Sequence, residues 1–182
     1  MTTHYWDSSP NKNLFINLLT KDIQIVNCIL DLLDNSVDGI IQKSNFDALR
    51  YLKWELPDVP LSGYKITITL SKDIFFLFFN GCGISIENAE NKVFKLWSAL
   101  SDEDESTNYG LSVYGIWMKR AFFKLGNLIK LYSVTEDSKI DLGNGFNIDS
   151  WKQDAENWKI PFNSEWNLDA SNTGTRIEVS EL

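Results

Sequence analysis

The chain has 182 residues, of which 43% are hydrophobic and 13% aromatic, and this composition predicts one folded domain spanning residues 1–182 rather than a disordered segment. Its 25 acidic and 17 basic residues give a formal net charge of -8, so the charge does not support a nucleic-acid partner. We expect no signal peptide and no membrane partner, because no basic segment precedes an apolar one near Met1 and no apolar run is long enough for a membrane span.

Histidine and cysteine are scarce in this chain. His4 is the only histidine, and Cys28 and Cys82 are the only cysteines. Nucleophilic triads and most transition-metal sites need more of these residues, so we do not expect such chemistry. The two distant cysteines predict reduced thiols in a cytoplasmic protein.

Two helices are predicted in the first quarter of the chain. A turn at 7–10 begins a short amphipathic helix, whose apolar set is Leu14, Phe15, Ile16, Leu18 and Leu19. A second helix is predicted from about Lys21 to Lys43. Its apolar positions have helical spacing and are Ile25, Ile29, Leu32, Leu33 and Ile40.

A third helix, Phe46 to Leu56, and a β-hairpin follow. The first strand, Tyr64 to Leu70, alternates between isoleucine or leucine and threonine and is predicted to be half buried. After a turn at 71–73, the run Ile74 to Phe79 is continuously apolar, which is typical of a strand buried on both faces.

The second half of the chain mixes helices and strands. Ser85 is a predicted N-cap for a helix through Leu96, and the acidic segment 98–109 is predicted to be a mobile loop. The further elements are a helix from near Gly115 to Gly126, a strand Leu128 to Val134, short strands and turns holding Trp151, Trp158 and Trp166, and a strand Thr175 to Val179. This order predicts an α+β two-layer sandwich with a mostly antiparallel sheet and helices on one face.

Two segments carry recognisable motifs in the first half of the chain. The helix segment DLLDNSVDG, 31–39, is similar to E-x-x-x-N-x-x-D-[AG], with matches at Asn35 and Asp38 and Asp31 in place of the glutamate. These three positions share one helix face. The segment FNGCGIS, 79–85, is similar to D-N-G-x-G-[IM]-S. It supplies Gly81 and Gly83 and has Phe79 in place of the aspartate.

Two more motifs follow in order. The segment YGLSVYGIWMKRAFFKLG, 109–126, is similar to G-x-[FY]-G-x-G-[ML]-K-x-A-x-x-x-L-G, with matches at Gly115 and Lys119. Ser112 and Trp117 replace glycines of that pattern. The pair Gly174-Thr175 at the start of the last strand is the fourth motif.

These four motifs together resemble the GHKL ATPase superfamily, which includes DNA gyrase, histidine kinases, MutL, the large heat-shock chaperones and MORC proteins. The likeness is greatest to bacterial stand-alone ATP-binding proteins near the chaperone and MORC branches, and it extends from about Leu14 to Leu182. It implies a Bergerat-type fold, ATP and magnesium as cofactors, and an ATP lid at about 98–114. Relatives usually continue into a transducer domain, so we expect either a fragment or a minimal protein.

The resemblance also implies roles for individual residues. In the family, the carboxylate at the position of Asp31 orients or deprotonates the attacking water, and the asparagine at the position of Asn35 coordinates magnesium. The two glycines of the second motif allow close approach of the ligand. The implied nucleotide-binding residues are Asn35, Asp38, Gly81, Gly83, Gly115, Lys119 and Thr175.

Several residues depart from the family pattern at the expected pocket. Asp31 is one methylene shorter than glutamate, and a displacement of about 1 Å costs a general base on the order of 100-fold in rate. Phe79 cannot accept the adenine amino hydrogen, and an unpaired buried donor costs roughly 1 to 3 kcal/mol. Ser112 and Trp117 replace phosphate-loop glycines, and Trp97 stands where relatives commonly have glycine. The aromatic residues also have a plain interpretation as core residues.

Charged residues near this pocket have two interpretations each. Asp102 to Glu105 put four carboxylates in the expected lid, where they repel a triphosphate unless the loop points outward or magnesium intervenes; the alternative is an ordinary solvated loop. Lys119, Arg120 and Lys124 form a basic cluster that either meets phosphate or lies on an exposed helix face. Asp31 is either the catalytic base or a solvated helix carboxylate.

The leading functional prediction is a GHKL-type domain with a degenerate, aromatic-filled ATP site. It would act as a binding module for a larger protein or as a homodimer, with weak or no ATP hydrolysis. One alternative is an active magnesium-dependent ATPase that uses Asp31 and Asn35. Another is a remodelled pocket that binds a different flat small ligand.

Overall fold

The computed structural model describes residues 11–44, 61–93, 116–166 and 172–182. These ranges contain both helices and strands. In chain order they are α1 (Lys12–Thr20), α2 (Ile25–Ser44), β1 (Ile66–Leu70), β2 (Ile74–Phe79), α3 (Ile86–Asn88) with a π-helical turn (Ala89–Val93), α4 (Ile116–Leu125), β3 (Leu128–Val134), β4 (Ser138–Asp141), β5 (Phe146–Asn147), α5 (Ile148–Gln153), β6 (Asn163–Trp166) and β7 (Gly174–Ser180). The prediction of an α+β fold is confirmed.

The strands form one seven-stranded sheet. Its order is β1-β2-β7-β3-β4-β6, with β5 also paired to β3, and all of these described pairings are antiparallel. Strand β7 therefore lies in the interior of the sheet, between β2 and β3. It joins the hairpin from the first half of the chain to the strands of the second half.

Burial alternates along the central strands, so one face of the sheet is covered and the other is more open. In β2, Phe75, Leu77 and Phe79 are buried, whereas Phe76 and Phe78 are only half buried. The prediction that 74–79 is buried on both faces is wrong. Among the described residues, helices α1, α2 and α4 cover one face of the antiparallel sheet, since they share a core with the buried strand residues.

Helix α1 begins one residue after its N-cap. The Asn11 Oδ1 accepts hydrogen bonds from the backbone N–H groups of Asn13 and Leu14, at 2.9 and 3.2 Å. The turn predicted at 7–10 lies outside the described residues. Two members of the predicted apolar set, Leu14 and Leu18, are exposed, because the face toward the core is formed by Lys12, Phe15, Ile16 and Leu19.

Helix α2 begins at Ile25, four residues later than predicted. Leu32 and Ile40 are buried as expected, but Ile25 is exposed. The core position near the start of this helix is instead held by Ile23, which precedes the helix.

Other predicted boundaries agree with the structure. Ser85 caps α3 by accepting from the backbone N–H of Asn88 at 3.2 Å, and the strand Leu128–Val134 has the predicted bounds.

Trp151 belongs to α5, a helix that the sequence analysis missed. In β1, the outermost strand on its side of the described sheet, Ile68 and Leu70 are exposed, so the prediction of a half-buried strand is wrong at these two positions. The helix predicted at 46–56 and the loop 98–109 fall outside the described residues.

None of the described helices has the length and apolar character that a transmembrane helix needs.

Candidate functional site

The first and second motifs meet at a glycine-to-glycine contact. The backbone N–H of Cys82 donates to the carbonyl oxygen of Gly39 at 3.0 Å. A Cβ atom on Gly81 would lie 2.7 Å from the carbonyl carbon of Gly39, which is closer than real Cβ contacts allow. Glycine at 81 therefore lets the loop after β2 lie directly on the backbone of α2.

Phe79 lies at the same junction. Its side chain is only 7% exposed, and its Cε2 lies 2.9 Å from the place where a Cβ on Gly39 would be. The ring thus packs against the backbone of α2. In the sheet, Phe79 is directly opposite Thr175 of β7, so the fourth motif joins the other two.

A buried polar network links the fourth motif to the second. The hydroxyl oxygens of Ser133 and Thr175 are 2.7 Å apart, and the backbone N–H of Ile84 donates to Ser133 Oγ at 2.8 Å. The Thr173 hydroxyl donates to the carbonyl oxygen of Gly81 at 2.7 Å. Ser133 was missed in the sequence analysis. The available signal was a serine on the same side of β3 as the core residues Ile129 and Leu131.

The loop of the second motif crosses the end of β3. Gly83 has a φ of +74°, and a Cβ there would lie 2.1 Å from the carbonyl oxygen of Val134. The Asn80 side chain fixes the start of the loop, since it accepts from the backbone N–H of Lys65 at 2.6 Å and donates to the carbonyl oxygen of Gly63 at 2.7 Å. These contacts give the loop one defined path.

The predicted carboxylates and amide lie along α2. Asp31, Asn35 and Asp38 are all partly buried, and one carboxylate oxygen of Asp38 is fully buried. Burial raises the pKa of Asp31, while the guanidinium of Arg120 lowers it and Asp34 raises it further. The buried Oδ2 of Asp31 has no hydrogen-bond partner among the residues that the structure describes.

The basic cluster on α4 has structural contacts. Arg120 Nε donates to the carbonyl oxygen of Leu19 at 2.9 Å, and Lys124 Nζ donates to that of Thr20 at 3.2 Å. Both cations therefore stabilise the C-terminal end of α1. The expectation of an exposed helix face is wrong for this cluster.

Lys119 is the most buried member of the cluster, with 4% exposure. Burial lowers its pKa to about 8. It borders a small cavity whose other lining residues are apolar, namely Val93, Phe122, Phe123, Ile129, Leu142, Phe146 and Ile160. In this position Lys119 belongs to the layer between α4 and the sheet.

Part of the predicted site lies outside the described residues. These positions are Trp97, Ser112, Gly115, the side chain of Trp117 and the lid at about 98–114. The described part of the site therefore consists of the first, second and fourth motifs and helix α4.

The described residues fit the implied cofactors poorly at the adenine end. The phenyl ring of Phe79 offers no hydrogen-bond acceptor where the family has a carboxylate, and it occupies the space beside Gly39. Within the four described ranges, no three His, Cys, Asp or Glu side chains are grouped to hold a metal ion. Asn35 remains the candidate magnesium ligand.

Comparison with known proteins adds no assignment. The sequence matches no family model and no curated protein. The GHKL resemblance therefore stays a prediction that depends on the four motif segments.

Proposed function

We propose that this chain is a GHKL-type, ATPase-derived domain with a degenerate nucleotide site. It acts as a binding module for a larger protein or as a homodimer, with weak or no ATP hydrolysis. The observation that carries the proposal is Phe79, a buried ring packed on the backbone of α2 at Gly39.

Two energetic terms at Phe79 disfavour adenine binding. An adenine amino group that enters without an acceptor loses a hydrogen bond worth roughly 1 to 3 kcal/mol. Moving the ring aside would expose apolar surface worth about 1.5 to 3 kcal/mol. Together these terms are large enough to weaken a micromolar nucleotide site by several orders of magnitude.

Isothermal titration of the full chain with Mg-ATP tests the proposal. We expect no binding in the micromolar range and little or no phosphate release. Micromolar binding with turnover would overturn the proposal. Phe78→Asp changes the other face of the same strand. If Phe79→Asp binds nucleotide and Phe78→Asp does not, Phe79 is the cause of the missing nucleotide binding in the wild-type chain. Circular dichroism checks that both variants fold.

One observation favours the second candidate, an active magnesium-dependent ATPase. The pKa of Asp31 is raised by burial, and a raised pKa suits a carboxylate that acts as a general base. In this alternative Asp31 activates water and Asn35 holds magnesium. Phosphate release by the wild-type chain and by Asp31→Ala separates the two candidates, with Asp34→Ala as an exposed control on the same helix. The alternative requires release that only Asp31→Ala abolishes.

The proposal includes a cytoplasmic location and a protein partner. Both Cys28 and Cys82 are free thiols, which is typical of a reducing compartment. Sedimentation of the purified chain distinguishes a homodimer from a monomer that needs another protein.

A further inference from the structure

Lys12, the first residue of α1, is a buried lysine with 3% exposure. Its ammonium nitrogen donates three hydrogen bonds to backbone carbonyl oxygens. They belong to Trp151 at 2.7 Å, to Asn157 at 2.7 Å, and to Asp154. An ammonium group has three N–H donors, so all of them are satisfied.

Two indole rings complete the surroundings of this nitrogen. It lies 4.2 Å from the ring centroid of Trp151 and 5.7 Å from that of Trp158. The two rings are edge to face, with centroids 5.6 Å apart and an interplanar angle of 89°. We call the three carbonyl groups and these two indoles the ammonium cage.

The ammonium cage has the chemistry of a cation receptor. Carbonyl oxygens and indole faces both present negative potential. The carbonyl group of Trp151 lies in the last turn of α5, where the helix dipole adds to this negative potential. The three acceptors are neutral, so the cage selects by geometry and by the number of donors. Burial lowers the pKa of Lys12, while the charge of Asp154 raises it.

We propose that the ammonium cage is a binding site for primary alkylammonium ions, occupied in cis by Lys12. A free alkylammonium ion takes its place when the lysine side chain is removed. A quaternary ammonium leaves three buried carbonyl oxygens without donors, so the cage rejects it. The inference goes beyond the proposed nucleotide-derived function and uses other residues.

Lys12 is also one of the contacts that hold α1 in place. Lys12 joins the N-terminal end of α1 to a segment more than 130 residues later in the sequence. In the wild-type chain the folded helix α1 holds the lysine at the cage, and this rigid tether gives it a higher effective concentration than the millimolar range of a short flexible linker, so free amines should not displace it.

Thermal unfolding of Lys12→Ala tests the proposal. The variant lacks Cγ, Cδ, Cε and Nζ, and n-propylammonium replaces those four atoms. At about 100 mM n-propylammonium we expect the melting temperature of this variant to rise by about 3 °C above the value in sodium chloride of equal ionic strength. Tetramethylammonium at that ionic strength should give no such rise.

Three matched proteins should not respond to n-propylammonium. They are the wild-type chain, Lys12→Met, which fills the cage without a charge, and Lys21→Ala, which removes an exposed lysine at the other end of α1. Equal responses of Lys12→Ala to the primary and the quaternary ion would overturn the proposal, as would no response to either.

A second measurement covers the case in which Lys12→Ala does not fold. In the ¹⁵N-labelled wild-type chain, three hydrogen bonds should slow proton exchange of the Lys12 ammonium enough to give an NH₃⁺ cross-peak at neutral pH. Its loss in Lys12→Met assigns the signal. The ring of Trp151 should shift the neighbouring Cε protons upfield. A wild-type spectrum without such a cross-peak would overturn the proposal.

Discussion

Gly39 and Phe79 are in such close contact that the residue tolerated at one position depends on the residue at the other. A Cβ at 39 would lie 2.9 Å from Phe79 Cε2. Alanine is favoured over glycine in a helix interior by about 1 kcal/mol. The contact with the ring opposes that preference. Whether Gly39→Ala raises or lowers the free energy of unfolding therefore reports where the ring lies.

We expect Gly39→Ala to destabilise the wild-type chain by about 1 to 2 kcal/mol, because the buried ring must shift. In a Phe79→Leu background, which lacks Cε2, the same change should be neutral or stabilising. Urea unfolding of the four chains measures the coupling, which we expect to be at least about 1 kcal/mol. Additive effects would show that the ring does not occupy this place.

Single residues differ in how much of their role the sequence predicts. The spacing of Asp31, Asn35 and Asp38 predicts that they lie on one helix, and all three belong to α2. The roles of Lys12 and Ser133 were not predicted, because each depends on partners more than 40 residues away in the sequence. A lysine among exposed positions gives no local sign of its partners, and a serine on the core side of a strand indicates burial but not which residues it bonds to.

At the scale of elements, the ends of α1 depend on different partners. Asn11 satisfies two N–H groups at the start, and Arg120 and Lys124 bind carbonyl oxygens at the end. A nine-residue helix is marginal by itself, so these end contacts and the buried face must hold it.

We expect Asn11→Ala to lower the free energy of unfolding by about 1 kcal/mol, because two backbone donors lose their acceptor. Asn13→Ala is the matched control, since this residue is exposed on the same turn. Urea denaturation followed by circular dichroism measures both variants. Equal losses would mean that the Asn11 side chain contributes nothing as a cap.

Element types were predictable where a pattern was long enough. The strand Leu128–Val134 alternates over seven residues and has the predicted bounds. Helix α5 has only six residues, too few for a helical period to be recognised, and Trp151 and Ile148 point to the core from it. Helix α2 begins at Ile25 rather than near Lys21, and the buried Ile23 precedes the helix.

For the whole molecule, buried charge links stability to pH. The pKa of Lys119 falls from 10.5 to about 8 through burial. Between these values the unfolded chain binds more protons than the folded chain, so the contribution of Lys119 to stability rises with pH. The pKa values of Cys28 and Cys82 are raised by burial, which acts in the opposite direction above about pH 9.

The stability difference between the wild-type chain and Lys119→Met isolates the lysine. From about pH 7 to about pH 10 we expect this difference to move in favour of the wild type by roughly 2 kcal/mol. Urea unfolding at both pH values measures it. Lys72→Met, at an exposed turn, is the control for replacing a lysine by methionine outside the core. A constant difference for Lys119→Met would contradict the lowered pKa.

The position of β7 inside the sheet has a consequence for synthesis on the ribosome. Strand β2 finds its second neighbour only in Gly174–Ser180, and β3 needs the same strand. While the intervening residues are being translated, which takes on the order of 10 s, one edge of the hairpin has no partner. The nascent chain therefore exposes an apolar strand during this interval, and a factor that covers unpaired strands would raise its yield of folded protein.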